Sequence, residues 1–321
     1  MMRVALDAMG GDLGPSVVVE GVVAALKGLK DVSVLLVGDE ATLKAEVERH
    51  GGQDLPIEVV HTSQVVGMDD HPVAALKSKP DSSLLKCVML QKQGLADASV
   101  SPGNSGAMMA ASLTVLGRAG KISRPAVAPV LPSLGGRYIL VDAGANKDEK
   151  ASQLAQFAHC GAILARETFK IDRPRVALLN MGEEEEKGTE VVAETYQLLK
   201  NSGLNFIGNI EGHELIKGGF EVLVTGGFTG NIVLKLYEGF GAYISKAFAP
   251  TMPPEQRAAF DNAWCYEANS AAPLLGINGA AFIMHGRSSA VAYQHAIGIA
   301  ADIARSAVHE RIAADVKSLE S

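Results

Sequence analysis

The chain has 321 residues, 47% of them hydrophobic but only 5% aromatic, with 34 glycines and a formal charge of −7. That length can bury a large core, and a composition rich in Val, Leu, Ala and Gly excludes an all-β sandwich in favour of strands alternating with helices. The acidic balance offers no field that would gather nucleic acid, so no nucleic-acid partner is expected and any anionic ligand must be gripped by local groups.

In chain order, short apolar runs repeatedly end in a loop of small polar residues and then give way to a helical period. VALDAMGGDLGP leads into a helix over 16–29, followed by the strand VSVLLVGD, a helix over 40–50 and the strand IEVVHTS. ADASVSPGNSG leads into a helix over 107–117, and YILVDAGANKDE into one over 151–169. VALLNMGEEEEKG precedes a helix over 189–199, EVLVTGGFTGN one over 232–248, and AAFIMHGRSS a long helix reaching about Lys317. Such alternation predicts a doubly wound α/β fold, with a mostly parallel sheet covered on both faces. The expected organisation is one domain over 1–321, undivided or in two lobes, with a small helical and loop subregion near 240–275.

Cys87, Cys160 and Cys265 are odd in number and lack C-x-x-C spacing, which argues against a disulfide framework or structural zinc. MMRVALDAMGGD lacks the pattern of a secretory leader, and no segment approaches the length of a membrane span, so a cytosolic protein is expected. There is no G-x-G-x-x-G, no P-loop, no G-x-S-x-G elbow and no metal-ligand spacing among the histidines. No metal or cofactor is expected.

In an open parallel sheet the strand-to-helix loops lie at the carboxyl ends, where helix N-termini and free N–H groups favour an anion such as phosphate. After the first strand, Asp7, Gly10, Gly11 and Asp12 are candidates; the glycines permit close approach, while Asp12 either caps the next helix or faces the ligand. Gly103, Asn104, Ser105 and Gly106 form either an oxyanion cradle or a plain turn with an N-cap. Asp142, Gly144, Asn146 and Lys147 add an acid, an amide and a cation, the lysine also reading as a surface group beside Asp148 and Glu149.

In LNMGEEEEKG, Glu183 to Glu186 read as a solvated or helix-starting run, but Lys187, beside Gly188, is the candidate cation for an anion, and Asn180 is a further candidate phosphate-binding residue. Asn231, at the start of a helix, can donate to a carbonyl oxygen, and His285 brings an imidazole to the last junction. The helix over 232–248 carries Val233, Leu236, Tyr237, Phe240, Tyr243, Ile244 and Phe248 at helical spacing, an apolar face for core or dimer packing or, with 247–254, for lipid contact.

These segments together resemble the bacterial PlsX family of phosphate acyltransferases. The resemblance rests on LDAMGGD, KPDSS, SPGNSGA, VDAGAN, QFA, LLNMGEEEEKG, FIGNIEG, GGFTGNIVLK followed by EG, PLLG and HGRSS in that order, and covers nearly the whole chain. It implies a three-layer α/β fold similar to phosphotransacetylase and the isocitrate and isopropylmalate dehydrogenases. It also implies homodimerisation, peripheral attachment to the inner face of the cell membrane, and conversion of long-chain acyl carrier protein thioester and inorganic phosphate to acyl phosphate for phospholipid synthesis. Lys187, Asn231 and His285 are then the expected catalytic residues, and Arg118, Lys121 and Arg124 the expected basic dock for the acidic carrier protein. Leu13, Pro102, Gly226 and Asn269 to Ala271 depart from the family pattern, Gly226 replacing an acidic residue. The alternatives are a short-chain acyl coenzyme A phosphotransacylase, a nicotinamide-dependent decarboxylase, and a non-catalytic paralogue that binds carrier protein or membrane.

Overall fold

The computed structural model describes residues 1–248, 251–264 and 271–318. Cys265, Asn269 and Ser270 lie outside them. The chain forms two compact units, Met1–Gly120 with Glu267–Ala313 and Lys121–Tyr266 with Ala314–Ser321.

In the first unit, β1 (Met2–Asp7), β2 (Val32–Gly38), β3 (Ile57–His61), β4 (Ala98–Ser101), β11 (Ala272–Leu275) and β12 (Ala280–Ile283) lie in the order β3-β2-β1-β4-β12-β11. All pairs are parallel except β11 with β12. Alternation along the strands separates two cores. Val4, Leu6, Leu36 and Phe282 face α1 (Pro15–Gly28) and α10 (Ala290–Arg305). Ala5, Leu35 and Val37 meet Cys87 and Leu90 of α4 (Ser83–Lys92) on the opposite face. Helices α2 (Glu40–Arg49), α3 (Pro72–Ser78) and α5 (Ser105–Val115) complete this unit's two helical layers.

The second unit holds β6 (Val130–Ser133), β7 (Gly136–Val141), β8 (Arg175–Asn180), β9 (Asn205–Glu211) and β10 (Val222–Val224) in the order β6-β7-β10-β8-β9, parallel except for the β6–β7 hairpin. The short β5 (Ala126–Val127) precedes them. Gly161 lets α6 (Ala151–Phe169), which packs with α7 (Glu190–Lys200), lie directly on Val141 and Val222. On the other face Tyr138, Leu140, Leu223 and Tyr237 form the core under α8 (Gly227–Ala247), with Trp264, just after α9 (Pro254–Ala263), stacked on Tyr237 at 5.5 Å.

Three expectations need correction. The six strand-to-helix loops do not share one sheet: those after β1, β4 and β12 belong to one unit, those after β7, β8 and β10 to the other. Periodicity defines strands but carries no information on which sheet each joins. The helix expected to run unbroken to 317 stops at Arg305; Ala307 takes φ 51°, and α11 (Val308–Ser318) sets off so that Val308 and Ile312 become buried. Helix α8 begins five residues before the expected Ile232, because its glycine-rich first turn is capped from outside the helix.

Candidate active site

In the first unit, loops from the three adjacent strands β1, β4 and β12 are tied to one another. Asp7 ends β1, almost fully buried; its Oδ1 accepts from the amides of Met9 and Gly10, both at 3.1 Å, and its Oδ2 from Ser101 Oγ at 2.7 Å. Ser101 Oγ accepts in turn from the Gly103 amide at 3.1 Å. Burial pushes the Asp7 carboxyl above the ordinary carboxylate range, against hydrogen bonds that favour its ionised form. A Cβ on Gly10 would stand 2.6 Å from Asp7 Oδ2 and 3.0 Å from Gly103 Cα, so only glycine allows the two loops to touch. The Asp12 amide donates to the Gly286 carbonyl at 2.7 Å, joining the β12 loop to the β1 loop.

Asn104 caps α5, with Oδ1 accepting from the Ala107 amide at 3.0 Å. Its Nδ2 meets the carbonyls of Gly67, Met68 and Asp70 at 3.3, 3.1 and 2.9 Å. Two amide hydrogens facing three acceptors leave no donor for a substrate. The Asn104 side chain therefore builds the loop, a correction to its expected role as an oxyanion donor. The amides of Ser105 and Gly106 have no acceptor among the described residues, so the anion-binding capacity here is in the main chain. Gly11 lies beside the Tyr293 hydroxyl and Gly106 against Pro72. Asp12 is exposed and does not cap: α1 starts at Pro15 behind Gly14, with no side-chain cap. His285 is exposed, and its carbonyl closes a turn by accepting from the Ser288 amide at 3.0 Å and hydroxyl at 2.7 Å.

In the second unit, fully buried Asp142 follows β7 directly. Its Oδ1 accepts from the Val127 and Ala145 amides at 2.9 and 3.1 Å, and its Oδ2 from the Asn146 amide and Nδ2 at 2.8 and 2.9 Å. Burial raises its pKa, opposed by these bonds. Asn146 Nδ2 also donates to the Pro125 carbonyl at 2.8 Å. The carboxylates of Asp7 and Asp142 and both amide hydrogens of Asn146 are thus engaged in building these loops. Gly230 presses α8 onto the Asp142 carbonyl, where any Cβ would collide. Asn231 is half-buried, its Nδ2 on the Ala143 carbonyl at 3.3 Å and packed over Gly144, so one amide hydrogen remains free.

The loop after β8 is organised by Asn180, whose Nδ2 donates to the Lys187 carbonyl at 2.9 Å and whose Oδ1 accepts from the Met181 amide at 2.8 Å. Asn180 accordingly braces the loop and, like Asn231, keeps one amide hydrogen without an acceptor among the described residues. Asn209 Nδ2 holds the Glu184 carbonyl at 2.9 Å. Glu185 turns back to Lys200 at 2.8 Å. Glu183, Glu184 and Glu186 are exposed in the loop and start no helix, since α7 begins at Glu190 under a Thr189 cap. Lys187 and Lys147 are exposed, and the Lys187 ammonium has no ion pair among the described residues.

Two features escaped sequence reasoning. Glu149 Oε1 accepts from the Gly227 amide at 2.7 Å, and its Oε2 stands 2.9 Å from where a Gly226 Cβ would be. A carboxylate therefore occupies the α8 N-terminus although position 226 is glycine; only the Asp148-Glu149 pair before a helix hinted at it. Residues 63–83, which meet the Asn104 side chain through the Gly67, Met68 and Asp70 carbonyls, are closed on themselves by Asp81, which accepts from the Ser63 amide and hydroxyl at 2.8 and 2.7 Å, and by the Asp70–Lys79 ion pair. The KPDSS run was its visible trace. Among the described residues no cluster of three or more His, Cys, Asp or Glu side chains is placed to hold a metal, and no helix is long and apolar enough to cross a membrane.

Comparison with known proteins places this architecture. The phosphotransacetylase from Staphylococcus aureus superposes with a TM-score of 0.64 at 16% identity, covering 94% of each chain. A phosphotransacetylase from Streptococcus pyogenes gives 0.64 at 20% identity, covering 95% of this chain and 94% of that one. At such identities the likeness concerns the fold. A phosphate acyltransferase from Anaeromyxobacter sp. (strain Fw109-5) is 45% identical, with 99% of this chain and 92% of the relative aligned. One from Trichlorobacter lovleyi is 44% identical over 97% and 94%. The family model described as fatty acid synthesis protein matches residues 2–311. The chain belongs to that family, the PlsX family of phosphate acyltransferases.

Proposed function

We propose that the protein transfers the acyl group of a long-chain acyl carrier protein thioester to inorganic phosphate. A phosphate oxygen attacks the thioester carbonyl, a tetrahedral oxyanion forms, the C–S bond breaks and the carrier leaves as thiolate to take up a proton. The observation that carries this reading is 45% identity over 99% of the chain to a protein named phosphate acyltransferase. Phosphate is a competent nucleophile once oriented, so positioning and oxyanion stabilisation suffice. In the second unit, Lys187 offers an exposed cation without an ion pair among the described residues, and Asn231 an amide hydrogen without an acceptor among them. In the first, the Ser105 and Gly106 amides and the His285 imidazole are the groups able to meet an anion.

The reading includes a homodimer at the inner face of the cytoplasmic membrane, feeding phospholipid synthesis. It is supported by the row of apolar side chains that α8 exposes, Phe228, Ile232, Leu236, Phe240 and Tyr243. The test is incubation of the full chain with palmitoyl acyl carrier protein, with and without phosphate. Acyl phosphate and free carrier thiol are expected only when phosphate is present. Phosphate-independent thiol release, or reaction with acetyl coenzyme A alone, overturns the assignment.

A further inference from the structure

Helices α3, α4 and α5 enclose an apolar cavity of about 370 Å³ on the outer face of the first unit, a size typical of ligand and anchor pockets. Its walls include Val73 and Leu76 of α3 and Leu85 and Met89 of α4. Val73 is 53% exposed and Met89 37%, so the lips of the groove are apolar as well as its floor. The charged residues of these helices are Lys77, Lys86 and Lys92, and not one Asp or Glu occurs on any of the three. In a chain of net charge −7 that is a local reversal of sign. Lys77 and Lys92 line the groove, are exposed and form no ion pair among the described residues.

The same helices bear on the loop that caps α5. Pro72, at the start of α3, touches Gly106, and the segment entering α3 is bound by Asn104 through the Gly67, Met68 and Asp70 carbonyls. The α3 wall of the groove thus begins at Val73, one residue after the proline that packs on Gly106, while α5 lines it with Ala110, Thr114 and Val115.

We infer that this groove is the docking surface for the acyl carrier protein, taking an acidic helix whose apolar ridge enters between α3 and α4 while its carboxylates meet Lys77 and Lys92. The inference rests on the acyl carrier protein reading above. Apolar anchors in a groove with complementary charge at the rim are the ordinary mode of helix recognition, the charges chiefly setting capture rate and salt sensitivity. This assigns the dock to residues other than Arg118, Lys121 and Arg124, the cluster that the sequence suggested.

The test titrates fluorescent holo acyl carrier protein, without an acyl group, onto the full-length protein. Lys77→Glu/Lys92→Glu is expected to raise Kd by about tenfold or more at low salt, with an effect that shrinks as salt screens the pair. KM for palmitoyl carrier protein rises in parallel, while KM for phosphate stays put. Lys77→Gln/Lys92→Gln, with a circular dichroism spectrum like the parent, guards against misfolding and should fall between the two. Unchanged Kd in an active enzyme overturns the dock and leaves the acyltransferase reading intact. Loss of carrier binding in an Arg118→Glu/Lys121→Glu/Arg124→Glu variant instead of the double variant also overturns it. So does a double variant that loses affinity for palmitate or anionic vesicles but keeps the carrier. A parent that binds the carrier through these lysines yet makes no acyl phosphate upholds the dock and sinks the catalytic reading.

Discussion

At the scale of single residues, Asn104 and Lys187 represent opposite cases. Asn104 has every side-chain polar atom committed to backbone groups, whereas Lys187 is exposed, with its main chain held by Asn180 and the Glu184 carbonyl. A charge-assisted hydrogen bond is worth about 1.5–3 kcal/mol, so Lys187→Ala should raise the phosphate KM by roughly ten- to a hundredfold with little change in KM for the acyl substrate. Steady-state kinetics with each substrate varied would show it, and unchanged phosphate saturation would remove Lys187 from the site. Glu149 and Gly226 make a second pair. An Asp at 226 brings its Cβ within 2.9 Å of Glu149 Oε2, crowding two carboxylates at one helix start. Gly226→Asp alone should lower stability by about 1–3 kcal/mol, and Glu149→Ala should recover much of that loss in the double variant. Urea unfolding of the four proteins measures the coupling; strict additivity would refute it.

At the scale of elements, the start of β8 is bound to the residue before β10 by Arg175 and Glu221. Glu221 Oε2 accepts from the Arg175 amide at 2.6 Å and Oε1 from its guanidinium at 2.6 Å. Burial pushes the Glu221 carboxyl up, but the Arg175 bonds outweigh it and hold the pKa below the usual 4.5. A depressed carboxylate pKa contributes stability that is present above the unfolded value and lost as pH falls through the folded one. The parent should therefore lose stability steeply below about pH 4.5, and Arg175→Gln should show a shallower acid dependence across that window. Denaturation at a series of pH values checks it; identical slopes would contradict the linkage. The long predicted helix that breaks at Ala307 belongs to this scale too. Neither Gly nor Pro marks the break; it exists because Val308 and Ile312 are buried against β11 and β12.

At the scale of the whole molecule, α8 exposes more apolar surface than an isolated chain in water favours. Phe228 is 68% exposed, Leu236 67% and Tyr243 59%, along one face of a single helix. As the surface of a self-complementary dimer, that row would be covered by its own copy. Leu236→Glu/Phe240→Glu should convert the proposed dimer to monomer in sedimentation velocity, with the fold of each unit retained. A parent that sediments as a monomer would exclude this use of the helix.

The sequence alone determined the strand, loop and helix units, because side-chain period and turn chemistry are set by covalent spacing. It also placed Gly10 and Gly103 just after strand ends for the same reason. Only the tertiary structure decided that the loops divide between two sheets, that Asn104 and Asn146 spend their amides on the scaffold, and that Glu149 reaches the start of α8. Those outcomes depend on partners far away in the chain, 34 to 37 residues for Asn104 and 78 for Glu149. A hydrogen-bonding group shows what it can do from its own chemistry; whether any of that capacity is left for a ligand is settled by what folds against it.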